Sequence, residues 1–498
     1  MLFCSRGACT LLVFLTGAFS LAGEDWPRFR GSDGAGVAVR TSDLPSEFGP
    51  NKNVVWKTEL PPGHSSPIVV GDRIFLTAAE GGSSADAGRD KIVDKGGKLY
   101  TYCLRRSDGR VLWRREVPRP RLERFQPTNS PASPSPVVDE SRVYVFFGDF
   151  GLLAYDFEGK EQWRVPLGPF NNVNGHGSSP ILAGDLVVML CDQDTDSYLL
   201  AVRRDTGREV WRTPRPEVTR SYSTPLLYRS PTGGDQIVVP GAYYLTSYSA
   251  ETGEKLWWIR GMSWQPKSTP IVHDGLIYAH WWEGGGEAEA PTETPSFAET
   301  IAERDKNGDG LLTAQEYSAE ARGQRAFINI DLNADTLVNE QEWENYRARR
   351  ASRNVLIAVR PEGKGDLTNS PSVQWRMQKF LPNVPSPLIY MNILYLVKDG
   401  GILSSLDAAS GRILKQGRLT GALGTYYSSP VAGAGKVFLI SQEGKATVVR
   451  AGADWEILSV NDMEEECFAT PALLDDRIYL RTRSALYCFG SLKARAKE

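Results

Sequence analysis

One short motif, a Ser or Thr followed by Pro and apolar residues, recurs along the chain and constrains its fold most. Its prolines stand at positions 67, 136, 180, 225, 270, 387, 430 and 471. Five of the seven gaps are 41 to 45 residues long, which matches the repeat of about 40–45 residues in a four-stranded propeller blade. The other gaps, 69 and 117 residues, correspond to a blade plus an insertion. The repeat predicts an all-β, eight-bladed β-propeller.

Each unit shows the same order of strand and turn signals. The motif begins strand a, a Gly/Asp turn leads to strand b, and strand c ends at a turn such as Asp-Thr-Gly at 205–207. Glycine supplies the positive φ that such turns require. A Trp then follows in strand d, and we expect these side chains to pack between neighbouring blades. The Trp residues of this set are Trp56, Trp113, Trp163, Trp211, Trp257, Trp375 and Trp455.

The last unit, from Ala469 to Gly490, contains only three strands. The segment from Val54 to Thr58 has the pattern of the missing strand d. We therefore expect this N-terminal strand to pair with the C-terminal blade and close the ring, because closure removes most exposed sheet edges.

The turn-and-Trp segments resemble the docking motif Ala-x-Asp-x-x-Thr-Gly-x-x-x-Trp of the pyrroloquinoline-quinone-like (PQQ-like) repeat family. The closest copies are residues 248–257 and 200–211. The family includes quinone-dependent alcohol dehydrogenases and the cofactor-free B subunit of the outer-membrane β-barrel assembly machine. The resemblance implies the propeller fold for both functions. The dehydrogenases carry two adjacent cysteines over the quinone, a catalytic Asp and a bound Ca²⁺, whereas no two cysteines are adjacent here.

Residues 283–352 interrupt blade five between strands b and c with a sequence of helical composition. Its segment 305–316 has oxygen donors at EF-hand positions 1, 3, 5, 9 and 12, with Gly310 at position 6. Oxygen donors favour Ca²⁺, whereas Zn²⁺ prefers His and Cys. The alternative is an acidic turn without metal. The predicted ligands are Asp305, Asn307, Asp309, the Leu311 carbonyl, Thr313 and Glu316.

A second copy of the loop begins at Asp331. Thr336 occupies its glycine position, where a non-Gly residue costs about 1–3 kcal/mol of strain. We expect weaker Ca²⁺ binding or an altered loop, and the sequence leaves open whether Ca²⁺ has a structural or a regulatory role. The predicted ligands are Asp331, Asn333, Asp335, the Leu337 carbonyl, Asn339 and Glu342.

The loops from strand d to the next strand a should surround the central funnel, on the face where both insertions rise. Polar residues of these loops form a candidate ligand site, and the alternative is a water-filled channel lined by solvated side chains. Three acidic residues, Asp192, Asp194 and Asp196, are expected to form a solvated turn on this face. The leading candidates are His64, His176, Arg220, Trp264, Lys267 and Tyr426, beside Asn129, Asn174, Tyr222, Asn383, Tyr427 and Glu466.

Residues 1–22 have the pattern of an export signal, with Arg6 before an apolar run at 11–21 and small residues before a cleavage point after Ala22. The alternative is an uncleaved anchor. An exported chain can form disulfides, but the sequence does not choose a pairing among Cys103, Cys191, Cys467 and Cys488. The formal net charge of −3 argues against nucleic-acid binding.

These patterns together predict a Ca²⁺-binding, non-catalytic interaction scaffold of the periplasm or cell envelope. We expect a protein partner, a monomeric chain and no membrane span after signal cleavage. The alternative is a quinone-dependent alcohol or sugar oxidoreductase with PQQ in the funnel. The predicted divisions are a signal peptide at 1–22, propeller at 23–282, EF-hand insertion at 283–352, propeller at 353–490 and tail at 491–498.

Overall fold

A computed structural model describes residues 25–81, 97–231, 233–284, 293–327 and 329–491 of the chain. These residues form an eight-bladed β-propeller, which confirms the fold predicted from the repeat. The predicted signal peptide, most of the short insertion at 79–98, and residues 492–498 lie outside the described residues. No helix in the described ranges is long and apolar enough to cross a membrane.

Two N-terminal strands, β1 Val37–Ala38 and β2 Val54–Glu59, precede the blades. Blades one and two contain β3 Ile68–Val70, β4 Arg73–Glu80, β5 Lys98–Arg105, β6 Val111–Val117, β7 Val137–Val138, β8 Arg142–Phe147, β9 Gly151–Asp156 and β10 Glu161–Pro166. Blades three and four contain β11 Ile181–Ala183, β12 Leu186–Cys191, β13 Tyr198–Arg203, β14 Glu209–Pro214, β15 Leu226–Arg229, β16 Asp235–Gly241, β17 Tyr244–Ser249 and β18 Lys255–Arg260.

Blade five is split by the inserted segment and contains β19 Ile271–His273, β20 Leu276–Trp281, β23 Val355–Val359 and β25 Val373–Met377. The short β24, Gly365–Asp366, pairs in parallel with the outer strand of blade four. Blades six to eight contain β26 Leu388–Tyr390, β27 Ile393–Lys398, β28 Ile402–Asp407, β29 Ile413–Arg418, β30 Val431–Gly433, β31 Lys436–Ile440, β32 Lys445–Arg450, β33 Glu456–Asp462, β34 Ala472–Leu474, β35 Arg477–Arg481 and β36 Ala485–Gly490.

The ring closes as the sequence predicts. Strand β2 pairs antiparallel with β36, with Trp56 opposite Cys488 and Glu59 opposite Ala485. The N-terminal strand is thus strand d of blade eight. In addition, β1 pairs in parallel with β30 of blade seven. Residues from the start of the described chain therefore pair with two of the last blades.

The Trp residues of the outer strands pack between blades, as predicted. Five of them donate the indole N–H to a backbone carbonyl oxygen of the next blade at 2.8 to 3.2 Å. Each indole lies against the glycine of that blade's turn, where an added Cβ would stand within 2.4 to 2.8 Å of the nearest atom. The turn glycine is required there for close approach as well as for positive φ. The five are Trp56, Trp113, Trp163, Trp211 and Trp375.

Burial explains why the middle strands have continuous apolar sequences. Every residue of β12 and β36 is buried, since blades pack on both of their faces. The outer β14 instead alternates, with only Trp211 buried. The apolar clusters lie between adjacent blades, where a fully buried Leu or Val contributes about 1.5–3 kcal/mol.

The inserted module consists of α1 Phe297–Arg304, β21 Leu312–Thr313, α2 Ala314–Tyr317, α3 Ala321–Phe327, β22 Leu337–Val338 and α4 Glu340–Ala351. Strands β21 and β22 pair antiparallel and join the two predicted loops. A small core of its own includes Leu312, Phe327 and Trp343. The module therefore has a hydrophobic core separate from those of the blades.

Candidate functional site

A cavity of about 260 Å³ lies on the propeller axis. All eight blades contribute one wall residue, the Ser or Thr that directly precedes the motif proline. These wall residues are Ser66, Ser135, Ser179, Thr224, Thr269, Ser386, Ser429 and Thr470.

The hydroxyl groups of these residues form a hydrogen-bonded ring around the axis. Seven backbone N–H groups of the ring residues each donate to the hydroxyl oxygen of the next blade's residue, at 2.9 to 3.1 Å. One of these bonds, from Thr470 to Ser66, spans the ring seam. Sequence reasoning used the motif only to find strands, although a hydroxyl residue before proline in every blade was the available signal for this ring.

The N-terminal segment 25–38 crosses one end of the channel and forms its floor. It bonds to the inner strands of blades one and seven, with Trp26 on Val69 and Gly36 on Ala432. Phe29, between these contacts, lines the cavity. The sequence did not predict this floor, because the segment lies outside the repeat.

Two buried arginines flank Phe29. Arg30 donates to the Pro387 carbonyl oxygen at 2.8 Å, and Arg28 lies 3.5 Å from the Pro225 carbonyl oxygen. Burial lowers the pKa of Arg28 to about 10 and that of Arg30 to about 9. Within the described residues neither forms an ion pair with a carboxylate, so positive charge accumulates beneath the cavity.

The structure brings two of the six leading candidates, His64 and Lys267, to the cavity wall. Five neighbouring candidates from the same loops join them: Asn129, Asn174, Tyr222, Asn383 and Tyr427.

The other four leading candidates do not line the cavity. His176 is buried between Phe146 and Phe170, beside Glu123. Tyr426 donates its hydroxyl to the Ala422 carbonyl oxygen in a core between blades, while the adjacent Tyr427 faces the cavity. Arg220 and Trp264 are buried and do not line the cavity.

Charge on the cavity wall is sparse and of one sign. Burial, with Arg481 nearby, lowers the pKa of His64 to about 3, and its ring stacks on Phe468 at 4.1 Å. Burial also lowers the pKa of Lys267 to about 8. The Lys267 ammonium donates to the Gln265 carbonyl oxygen at 3.1 Å. No Asp or Glu of the described chain lines the cavity, so its wall is neutral to positive near pH 7.

The acidic turn at 192–196 differs from the solvated turn that we expected. Asp192 is buried and pairs with Arg215, whose Nε lies 2.7 Å from Asp192 Oδ1. Asp194 is likewise buried and pairs with Arg220. Both arginines come from the loop after β14, so the turn is a buried ion-pair element that fixes neighbouring loops.

Trp264 lies between two cations. The Arg220 guanidinium carbon is 4.8 Å from the Trp264 ring centroid, and that of Arg349 is 3.8 Å away. Arg349 belongs to α4 and also donates to Glu283 at 2.7 Å. This cluster joins the module to the propeller.

The first predicted Ca²⁺ loop is organised by its own backbone N–H groups. Asp305 accepts from Gly308 and Gly310, and Asp309 accepts from Leu311, at 2.7 to 2.9 Å. Hydrogen bonds from the backbone N–H groups of Thr313 and Lys306 lower the pKa of Glu316 to about 2. The carboxylate of Glu316 is therefore ionised at neutral pH.

The second loop has the same hydrogen-bond pattern despite its missing glycine. Asp331 accepts from Thr336, and Asp335 accepts from Leu337, at 3.1 and 2.9 Å. Thr336 has φ of 72°, close to the 75° of Gly310 in the first loop. Burial raises the pKa of Glu342. The backbone thus keeps the loop path while Thr336 carries the strain.

The module lies on the cavity face of the propeller. Asn171 Nδ2 donates to the Leu332 carbonyl oxygen of the second loop at 2.8 Å. Gln341 donates to the Pro216 carbonyl oxygen at 3.1 Å. Both propeller residues belong to loops between strand d and the next strand a.

Within the described residues, no group of three or more His, Cys, Asp or Glu side chains is placed to hold a metal ion. In both predicted loops the carboxylates accept loop N–H groups, which leaves lone pairs on the same oxygens for a metal ion. The donor set of oxygen atoms alone fits Ca²⁺ rather than a softer metal.

The quinone cofactor of the dehydrogenases does not fit the axial cavity. No described Asp or Glu lines it, so the cavity lacks carboxylate ligands for the Ca²⁺ that accompanies the quinone. Cys103, Cys191, Cys467 and Cys488 are all buried and unpaired, and none lines the cavity. A drug-sized ligand ordinarily needs about 300–1,000 Å³, more than this cavity provides.

The fold and the repeat define the class of this protein as an eight-bladed β-propeller whose repeat resembles the PQQ-like type. Residues 53–281, which comprise β2, blades one to four and the first half of blade five, match a family model described as outer membrane protein assembly factor BamB. Across that span the chain is similar to this family. No curated protein sequence matches it.

Two solved structures with a TM-score above 0.5 share the fold at low sequence identity. BamB from Moraxella catarrhalis is 11% identical with a TM-score of 0.52, and the alignment covers 88% of this chain and 98% of that one. The computationally designed Ika8 protein is 10% identical with a TM-score of 0.51, covering 88% and 100%. A quinohemoprotein alcohol dehydrogenase from Pseudomonas putida HK5 is 13% identical with a TM-score of 0.43, covering 94% and 80%.

Proposed function

We propose that this chain is an exported, Ca²⁺-binding propeller that acts as a non-catalytic protein-interaction scaffold in the cell envelope. The observation that carries the proposal is the position of the second loop, whose Leu332 carbonyl oxygen accepts from Asn171 on the cavity face. Ca²⁺ bound in the module would therefore stabilise a surface composed of both module and propeller loops.

The first loop is the primary Ca²⁺ site in this proposal. Asp305, Asn307, Asp309, Thr313 and Glu316 would supply side-chain oxygens, and Leu311 its carbonyl. Its Gly308 and Gly310 adopt positive φ without strain. The second loop, with Ala334 and Thr336 at those positions, would bind through Asp331, Asn333, Asp335, Leu337, Asn339 and Glu342.

The scaffold role is supported by the family match and by the candidate export signal. The matching family model is described as outer membrane protein assembly factor BamB. An assembly factor for proteins must bind other proteins. Residues 1–22 have the pattern of a signal for export. Together they favour a periplasmic or envelope location and a protein partner.

The partner claim is tested by cross-linking the full chain in the cells that express it, with Ca²⁺ or with a chelator. The matched variants are Glu316→Gln with Glu342→Gln, and the exposed Glu254→Gln as control. We expect a discrete cross-linked species that is lost with chelator and in the loop variant but kept in the control. Equal cross-linking in every condition would contradict a Ca²⁺-stabilised interaction surface.

The rival oxidoreductase function is tested with purified chain, added PQQ and Ca²⁺, an electron acceptor and a panel of alcohols and sugars. We expect neither stoichiometric quinone absorbance on the protein nor turnover. Stoichiometric binding with turnover would overturn the scaffold function.

A further inference from the structure

The axial cavity offers hydrogen-bond donors that the fold leaves unused. Seven ring hydroxyl oxygens accept a backbone N–H. In the described part of the chain none of these hydroxyls donates to a protein acceptor. Their hydrogens are therefore available to a ligand with several acceptor oxygens.

An acceptor and further amides accompany these donors. The amide oxygen of Asn383 is buried without a hydrogen-bond partner among the described residues, and Asn383 lines the cavity. An unpaired buried acceptor costs about 1–3 kcal/mol, which a ligand hydroxyl would recover. Gln126, Asn129 and Asn174 also line the cavity.

The charge of the wall selects for an anion. Lys267 is the one Lys or Arg among the described lining residues, and no described Asp or Glu accompanies it. Its ammonium has a single protein acceptor there, the Gln265 carbonyl oxygen. An ammonium has three donors, so two remain for a carboxylate.

Aromatic side chains provide an apolar surface opposite these polar groups. Phe468 stacks on His64, and Tyr427 packs on Phe468 with ring centroids 5.4 Å apart. Phe29 lies at the closed floor. A cavity of about 260 Å³ with one closed end admits a ligand smaller than the drug-sized molecules that need about 300–1,000 Å³.

We propose that the axial cavity binds a sugar acid, a monosaccharide-sized ligand with one carboxylate and several hydroxyl groups. The carboxylate pairs with the Lys267 ammonium, and the ligand oxygens accept from the ring hydroxyls. A ligand hydroxyl donates to Asn383 Oδ1, and the apolar face of the sugar lies on Phe468. This site is independent of Ca²⁺ binding and of the scaffold role.

The test is calorimetric titration of the full chain with sodium D-glucuronate, D-glucose and sodium acetate at pH 7. The variants are Lys267→Met and Lys267→Arg, with the exposed Lys364→Met as control. Circular dichroism of each variant checks that the fold is intact. Titration of the Glu316→Gln/Glu342→Gln chain separates this site from the Ca²⁺ loops.

We expect D-glucuronate to bind at least about tenfold more tightly than D-glucose or acetate, as one charge-assisted hydrogen bond provides. Lys267→Met should remove this preference, Lys267→Arg should retain most of it, and Lys364→Met should leave it unchanged. Equal affinity for glucose and glucuronate, no binding of any probe, or an unchanged preference in a folded Lys267→Met chain would overturn the proposal.

Discussion

Asn171 Nδ2 donates to the Leu332 carbonyl oxygen at 2.8 Å and so joins a propeller loop to the second residue of the second predicted Ca²⁺ loop. The same Asn171 also bonds within the propeller, through its N–H to Gln193 and through Nδ2 to Thr195. Asn171 is therefore held by hydrogen bonds to both the propeller and the Ca²⁺ loop.

Substitution Asn171→Ala should loosen the module and spare the blades. The lost bonds are worth about 0.5–1.5 kcal/mol each, and only one of them reaches the module. We expect faster hydrogen exchange in residues 331–342 and a midpoint of thermal unfolding within a few degrees of the wild type. The control is Asn345→Ala, which removes a bond inside α4. Unchanged exchange at 331–342 would show that the contact does not restrain the loop.

Thr336→Gly should stabilise the module, since Thr336 has φ of 72°. Removing this strain should raise the free energy of unfolding by about 1 kcal/mol, reduced by the backbone entropy that glycine adds to the unfolded chain. The converse change, Gly310→Thr, should destabilise the first loop by a similar amount. Native-state hydrogen exchange of the β21–β22 amides measures both. Opposite signs are expected, and destabilisation by both changes would contradict the assignment of strain to Thr336.

Gly109→Ala tests closure of the ring. An added Cβ would lie 2.4 Å from the Trp56 ring, at a residue with φ of 73°. The matched control is Gly71→Ala, which has φ of 56° but nothing within 4 Å of the added Cβ. We expect the control substitution to lower the free energy of unfolding by about 1 kcal/mol through backbone strain. Gly109→Ala should lower the thermal midpoint considerably more than the control does, because its added Cβ also collides with Trp56 at the ring seam. Equal midpoints would mean that the Trp56 contact does not secure closure.

Lys267 gives the chain a specific pH dependence. Burial lowers its pKa to about 8, below that of about 10.4 for an exposed lysine. The unfolded chain then binds more protons between these two values, so stability should rise with pH across this window. The carboxylate of Glu283 raises the pKa of Lys267, and the positive charges of Lys267 and Arg30 both lower the pKa of His280.

Lys267→Met should therefore stabilise the chain at pH 7 by about 1–3 kcal/mol and flatten the rise between pH 8 and 10. Urea unfolding of the wild type and the variant at pH 7, 8, 9 and 10 measures the difference. Lys364→Met, at an exposed position, controls for loss of a lysine. A constant difference between Lys267→Met and wild type across this range would contradict the lowered pKa.

The eight-bladed ring could be predicted from the sequence because each blade is marked by residues that lie close together in the chain. A hydroxyl residue, a proline, a turn glycine and a Trp recur there at fixed spacing. The sequence could not show which of the adjacent Tyr426 and Tyr427 faces the axis, because the backbone conformation of their loop decides the direction of each side chain. Asp194 was misassigned for a related reason. Its partner Arg220 lies 26 residues away, and the acidic turn alone resembles a solvated one.

The most direct test of the account is Ca²⁺ stoichiometry and affinity by calorimetric titration of the wild-type chain, Glu316→Gln, Glu342→Gln and the double variant. The account predicts that Glu316→Gln removes the tighter site, that Glu342→Gln removes only the weaker one, and that the double variant binds no Ca²⁺. Binding curves that are the same for all four chains would contradict it.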